Sequence, residues 1–212
     1  MGIKIERMVL GPLENNTYLL VDENTGQAAV IDPSFGSKAA ANEIQSRRYQ
    51  LQAVWLTHAH FDHMAGIQEL QAEFVDMIQV GLHPLDLPLW KRSGDAGAFG
   101  FDLKPGPDPQ VQFHHGQMLQ LGDSSIEVRH TPGHCQGHVV FYWAEGGVVF
   151  CGDLIFQMGV GRTDLPGGSH ASLLESIRTQ ILALSDETLL LSGHGPATTI
   201  AIEKASNPYL VE

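Results

Sequence analysis

The sequence predicts an α/β fold in which two β-sheets pack face to face and helices cover both outer faces. Three observations carry that expectation. Short strand-like runs followed by helical ones occur twice, once in each half of the chain. The strand-like runs are rich in β-branched and apolar residues and are punctuated by polar or glycine turns. No low-complexity linker divides the chain, and no internal repeat is visible at the level of sequence.

In chain order, segments 3–10, 17–21 and 27–31 read as strands, with the turn Asp22-Glu23-Asn24-Thr25-Gly26 between the last two. Segment 37–49 reads as a helix, with Ala40, Ala41 and Ile44 near helical spacing and Ser37 as the N-cap. A strand follows over 51–56, and a helix is expected from Asp62 with Ile67, Leu70 and Phe74 on one face. Segment 76–82 reads as a further strand, and His83-Pro84-Leu85-Asp86 starts a short helix. Segment 93–109, with Gly94, Gly97, Gly100 and three prolines, reads as a long functional loop. The second half offers strands over 117–121, 125–131, 138–143 and 148–151, then a helix over 169–184. Leu173, Leu174, Ile177, Ile181 and Leu184 form the stripe of that helix. A last strand at 188–191 and a helix near 200–205 close the chain.

At 212 residues the chain can bury a full core without disulfide or metal support. Its 24 acidic residues against 12 basic ones give a formal charge of −12, which repels nucleic-acid phosphates and anionic membranes alike. Neither partner is expected. Polar residues and Pro12 occupy the N-terminal stretch where a signal peptide would carry its apolar run, so the expected location is cytoplasmic. In that compartment Cys135 and Cys151 are expected as reduced thiols. The count of 11 histidines is high beside so few Lys and Arg, and it asks for a metal.

The metal reading has a location. The strand at 51–56 runs into Thr57-His58-Ala59-His60-Phe61-Asp62-His63, four possible ligands on one turn between strand and helix. Imidazole and carboxylate donors suit Zn²⁺, Fe²⁺ or Mn²⁺, and no cysteine cluster marks a closed structural zinc site. His134 in Thr131-Pro132-Gly133-His134, Asp153 in Cys151-Gly152-Asp153 and His194 in Ser192-Gly193-His194-Gly195-Pro196 occupy equivalent places just past strands. Such loops commonly carry ligands because the sheet fixes them. A Gly-x-Ser-x-Gly elbow is absent, so serine hydrolase chemistry lacks its signal.

With these residues the chain resembles the metallo-β-lactamase superfamily, and more closely its short glyoxalase II-like hydrolases. The segments that carry the resemblance are 30–33, 57–66, 131–138, 152–156, 159–168 and 193–199, nearly the whole chain. It implies a four-layer αββα sandwich, one domain over residues 1–212, with two divalent metals at one edge between the sheets. Zinc is the expected metal, with iron and manganese as alternatives. Carried over by position, His58, His60 and His134 hold one metal. Asp62, His63 and His194 hold the second, and Asp153 bridges. Asp62 would also orient the attacking hydroxide. The β-lactamases of the family lack histidine at the position of His63 and have cysteine in place of Asp153, so antibiotic hydrolysis is disfavoured.

The same resemblance gives Asp32 a supporting role behind the ligand loop and places Arg162 and Asp164 in a motif shared with persulfide dioxygenases. The expected reaction is hydrolysis of a 2-hydroxyacyl thioester, such as a lactoylglutathione-like adduct, by a metal-bound hydroxide. The rival readings are an iron-dependent persulfide dioxygenase using His58, His134 and Asp153, or a lactone or phosphodiester hydrolase. Glyoxalase II proper has a C-terminal helical extension for the glutathione part. Here only one short helix has room after His194, so weak recognition of the glutathione part and tolerance of other thiol carriers are expected, with segment 93–109 as the candidate replacement. His83, His114, His115, His130, His138 and His170 are expected outside the ligand set.

Overall fold

The fold, taken from a computed structural model, is described for residues 2–74 and 78–210. One six-stranded sheet has the order β1 (Ile3–Leu10), β2 (Asn15–Asp22), β3 (Gln27–Ile31), β4 (Gln50–Trp55), β5 (Gln79–Leu82), β6 (Val111–Gln112). Helices α1 (Lys38–Arg47), α2 (Phe61–Met64), α3 (Ile67–Glu73) and α4 (Leu87–Lys91) belong to the same half. The second half builds β7 (Met118–Leu121), β8 (Ser124–His130), β9 (Val139–Trp143), β10 (Val148–Gly152) and the small hairpin β11 (Ile155–Phe156) with β12 (Gly159–Val160). It ends with α5 (His170–Ser176), β13 (Leu189–Ser192), β14 (Thr198–Thr199) and α6 (Ile200–Ser206). Its six-stranded sheet has the order β14-β13-β10-β9-β8-β7.

Side-chain alternation explains the four layers. Along β2 and β3, Tyr18, Leu20, Ala29 and Ile31 point into one core, whereas Leu19, Val21, Ala28 and Val30 point into another. The first core also receives Phe141 and Phe150 from the opposite sheet, so it is the seam between the sheets. The second is covered by Ala41 and Ile44 of α1, Ile67 and Leu70 of α3, and Trp90 of α4. On the far side, Val140, Val149 and Leu190 turn outward to meet Leu173, Ile177 and Ile200. Strands buried on both faces must be apolar at both parities, and that is the pattern here. Among the described residues no helix is long and apolar enough to cross a membrane.

Several expected elements shift. The helix expected from Asp62 breaks at Ala65-Gly66 into α2 and α3. Gly66 lies flush against the preceding turn, donating its N–H to Pro33 O at 2.9 Å, and a side chain there would run into Ser34 and Ser37. Ser37 does not cap α1 through its side chain, because its hydroxyl is turned back to Ser34 O at 2.7 Å. Segment 93–109 is not all loop: Ser93–Phe99 forms 3₁₀ turns packed on the ligand loop. The helix expected over 169–184 is α-helical through Ser176 and widens into a π turn over Ile177–Ile181. Of the strand expected at 76–82, Gln79–Leu82 forms, and its first two residues lie outside the described residues. The short β6, β11, β12 and β14 had no sequence signal.

Direction of travel places the ligand loops together. Strands β3 and β4 run parallel, as do β10 and β13, so Asp32, the 58–63 turn, Asp153 and His194 all emerge at one edge. At that edge the sheets are joined directly: Val139 N–H donates to Thr57 O at 2.8 Å, and Asn16 N–H donates to Gly193 O at 2.7 Å.

Phe141 anchors the seam, fully buried, with ring centroids 5.8 Å from Trp55 and 5.4 Å from Phe113. Phe141→Ala should lower the unfolding free energy by about 3–5 kcal/mol, through lost contact and a cavity that rigid sheets cannot close. Urea denaturation measures it, and a loss below about 1 kcal/mol would show that the seam repacks.

Candidate metal centre

All seven residues expected as ligands come together at the sheet edge. His60 Nδ1 and His134 Nε2 are 2.8 Å apart, and with His58 they form one group of facing donor atoms. Asp62, His63 and His194 form a second group, with His194 Nε2 at 3.3 Å and His63 Nε2 at 3.5 Å from Asp62 Oδ2. Asp153 stands between them. Its Oδ1 is 3.4 Å from His63 Nε2 and 3.8 Å from His194 Nε2, and its Oδ2 is 3.8 Å from His134 Nε2.

What turns these nitrogens inward is a set of acceptors behind them. A neutral imidazole that donates from one nitrogen must present a lone pair at the other. His134 Nδ1 is tied to Arg162 O at 2.8 Å, and His194 Nδ1 to Leu13 O at 3.0 Å. His63 Nδ1 faces Asp32 Oδ2 at 3.0 Å, and His58 Nδ1 faces Thr57 Oγ1 at 3.0 Å. The Thr57 hydroxyl donates in turn to Asp32 Oδ2 at 2.6 Å, and Thr57 N–H donates to Asp32 Oδ1 at 2.8 Å. Asp32 therefore orients two ligands from behind, as the sequence reading expected. It does so from a left-handed backbone conformation, φ +50°, which is strained for a buried aspartate.

These buried groups are left with unmet polar atoms. His58 Nε2, His63 Nε2 and Asp153 Oδ1 are shielded from solvent and have no hydrogen-bond partner. Orphaned donors and acceptors this deep are costly, and divalent cations at the two groups would satisfy all three. The donor set of imidazole and carboxylate fits Zn²⁺, Fe²⁺ or Mn²⁺.

Electrostatics points the same way. Burial pushes His58 well below the usual imidazole range, and neighbouring His63 and His134 add to the shift. His60 is lowered to about 3, by burial first and then by His134. Burial opposes the charge on Asp153 too, but His63 and His134 outweigh it and hold the carboxyl well below its ordinary value. Neutral imidazoles and an ionised carboxylate are the states a metal ligand needs. His63 and His194 are the exceptions: burial lowers both, yet Asp62 and Asp153 prevail and raise them, so a cation there replaces a proton.

Glycine makes room at two points. A side chain at Gly193 would strike Asp153 Oδ1 and the His63 ring. Gly152, at φ +48°, adopts a left-handed conformation that other residues rarely take, and a side chain on it would strike Thr57 and His138.

Four contributors escaped the sequence reading. Asn15 donates from Nδ2 to Asp62 Oδ2 at 2.8 Å, and Asn16 clamps the His194 loop through Ser192 O and Gly195 O at 2.9 and 2.8 Å. Their signal was a polar pair opening a strand that is buried at every position. His138 is buried beside the ligands and accepts the Asp153 N–H at 3.2 Å. Asp86 is the fourth. It accepts from Ala59 N–H at 3.0 Å, Gly137 N–H at 2.6 Å and Cys135 Sγ at 3.0 Å, and so joins the His58–His60 turn to the His134 turn. Burial raises its pKa, partly offset by those donors. Cys135 points to Asp86, and Cys151 is a buried free thiol.

A pocket of about 250 Å³ opens onto the ligands, lined besides them by Leu13, Phe61, Phe99, Arg162 and Leu165. Arg162 is paired with Asp164 through two hydrogen bonds of 2.7 and 2.8 Å on the exposed rim.

The chain is similar to known proteins in sequence and fold. The family model described as the metallo-beta-lactamase superfamily matches residues 10–194. The hydroxyacylglutathione hydrolase GloC of Haemophilus influenzae is 35% identical, over 98% of this chain and 98% of its own. A Bacillus subtilis chain described as "Probable metallo-hydrolase YqgX" is also 35% identical, with the same coverage of both chains. Among solved structures, the di-iron-bound form of TTHA1623 is 39% identical, covers 97% of this chain and all of its own, and has a TM-score of 0.87. The BLEG-1 B3 metallo-beta-lactamase is 33% identical, covers 99% and 100%, and has a TM-score of 0.91.

Asp86 gives the test of how the centre is held. Asp86→Ala leaves two buried N–H groups without an acceptor and frees the two ligand turns from one another. Metal affinity should fall about 10–100-fold, the usual effect of losing a partner behind the ligands. Competition against a chromophoric chelator reads the loss, and unchanged affinity would show that the turns keep their places unaided.

Proposed function

Because the chain belongs to the metallo-beta-lactamase superfamily, we propose that it is a binuclear metallohydrolase cleaving 2-hydroxyacyl thioesters of the lactoylglutathione type. In this reading His58, His60 and His134 hold one divalent ion, Asp62, His63 and His194 hold the other, and Asp153 is shared. Zinc is the metal proposed, and the di-iron form of TTHA1623 makes iron the alternative. Two such ions supply Lewis acidity: they bring water deprotonation near neutral pH and draw charge from a carbonyl oxygen.

The chain's own residues do the rest. Asp62, steadied at Oδ2 by the Asn15 amide, orients the attacking water. The rings of Phe61 and Phe99 wall the pocket and exclude bulk water from it. Water adds to the thioester carbonyl, the C–S bond breaks, and the products are a carboxylic acid and a thiol.

The observation that carries the thioester is what the pocket lacks. Among the described residues lining it, the titratable groups are the ligands themselves and Arg162. No side chain there is free to protonate a leaving group. A thiol with an ordinary pKa near 8.5 leaves as an anion without help, whereas an alkoxide or amine does not. The likeness to GloC supports the same choice. The BLEG-1 B3 metallo-beta-lactamase superposes with a TM-score of 0.91, so the fold does not by itself separate thioester from β-lactam hydrolysis, and a cephalosporin belongs in the assay.

Elemental analysis of zinc-grown protein should give about two ions per chain, as a shared carboxylate allows. Asp153→Ala should lose both, while loss of His63 should empty mainly the second position. A single iron per chain that zinc does not displace would defeat the binuclear reading. For the reaction, zinc-loaded protein should cleave lactoylglutathione, followed by loss of thioester absorbance. Oxygen uptake with glutathione persulfide and no thioester turnover would replace the hydrolase by the dioxygenase. Rapid cephalosporin opening alone would replace it by a lactamase.

A further inference from the structure

The metal pocket does not end at its own walls. Phe99 and Leu165 also border a neighbouring trough of about 510 Å³, whose remaining lining includes Ala98, Pro166 and Arg92. The two spaces therefore share a wall. One side of the trough is the 3₁₀ turn that carries Ala98 and Phe99. Its 3₁₀ turn is seated firmly: Gly94 lies so close to Ala59 O and Phe61 N that no side chain fits between them. Phe61 stacks near both Phe99 and Phe101, with centroids 5.3 and 5.0 Å apart.

Within that frame Phe99 remains 42% exposed. A large ring held by its neighbours yet left facing water beside an active-site pocket marks a surface awaiting an apolar ligand. Charge argues in the same sense. Each cation at the rim is already matched within its own turn: Arg92 with Asp95 at 3.0 and 3.3 Å, and Arg162 with Asp164. The glutathione part of a thioester carries two carboxylates, and the charge of each guanidinium is already balanced by an aspartate. The chain's charge of −12 adds a general repulsion of anions.

We propose that this trough binds an uncharged, apolar arm of the substrate, so that the chain prefers thioesters bearing an alkyl or aryl group over the anionic glutathione adduct of lactate. The proposal rests on the thioester reading for its reaction, but the binding it describes stands apart from turnover. An apolar arm on either the thiol or the acyl half meets the same chemistry. Leu165 and Phe99 would grip its first carbons, and Ala98 and Pro166 would line its far end.

The test uses metal-loaded protein and three thioesters: S-lactoyl benzylthiol, S-mandeloylglutathione and S-lactoylglutathione. At least one of the first two should exceed the third in kcat/KM by about tenfold, and which one does so tells the half of the substrate that enters the trough. In Phe99→Glu that advantage should disappear. Ala98→Glu, at an exposed position that tolerates substitution, should shrink it as well, which separates the effect from misfolding of the turn. Calorimetry supplies a readout without turnover, using the ketone in which a methylene replaces the sulfur of S-lactoyl benzylthiol. Its affinity should fall about tenfold in both variants. A preference for lactoylglutathione, or an apolar preference and ketone affinity indifferent to both substitutions, would overturn the trough and leave the thioester reading intact. Ketone binding that depends on Phe99 and Ala98, with no thioester cleaved, would keep the trough and reject the thioester.

Discussion

Five imidazoles and two carboxylates face one another at one sheet edge, and most of the local architecture follows from keeping them there. Side chains of this kind ordinarily turn outward to water, because burial without partners costs several kcal/mol for each group. Here every turn that bears a ligand is fixed from behind: by Asp32 and Thr57, by the carbonyls of Leu13 and Arg162, and by the carboxylate of Asp86. The inward nitrogens are therefore aimed by hydrogen bonds made on their far sides. The pairing of Asp32 with both Thr57 and His63 is central, since it links the end of β3 to the ligand turn after β4 at the point where the sheets meet.

That constraint explains why polar residues penetrate a fold otherwise built on apolar strands. Asn15 and Asn16 open β2 fully buried, and they spend their amides on Asp62 and on the His194 loop. The two halves of the chain thus meet in two different ways. Away from the edge they share an apolar seam of Tyr18, Phe113, Phe141 and Phe150. At the edge they share hydrogen bonds, which have direction and can fix atoms to within tenths of an ångström.

The pocket inherits its chemical character from its walls. Its floor is charged and its sides are apolar, so a reacting group is held where water is scarce and electrostatic effects are strong. The 3₁₀ turn over Ser93–Phe99 belongs to that wall, and its Gly94 lies against the ligand turn where no other residue fits.

The sequence by itself determined the layered α/β fold, the position of most strands, and all seven residues of the candidate centre. Those features are local: strand periodicity is written in neighbouring residues, and a histidine just past a strand end is conspicuous wherever that strand lies in space. Gly66 shows the limit, since the helix from Asp62 has the right periodicity but breaks where its backbone meets the turn at Pro33. Segment 93–109 shows it again, because glycine and proline announce a loop without saying that part of it winds into 3₁₀ turns against the ligands. Asp86, Asn15 and His138 became legible only in three dimensions. Asp86 lies 27 residues from Ala59 and 51 from Gly137, and nothing near it in the chain differs from an ordinary turn-forming aspartate. Its role arises because folding brings two distant N–H groups to one buried carboxylate, and a contact between residues so far apart in the chain leaves no periodic trace in the sequence.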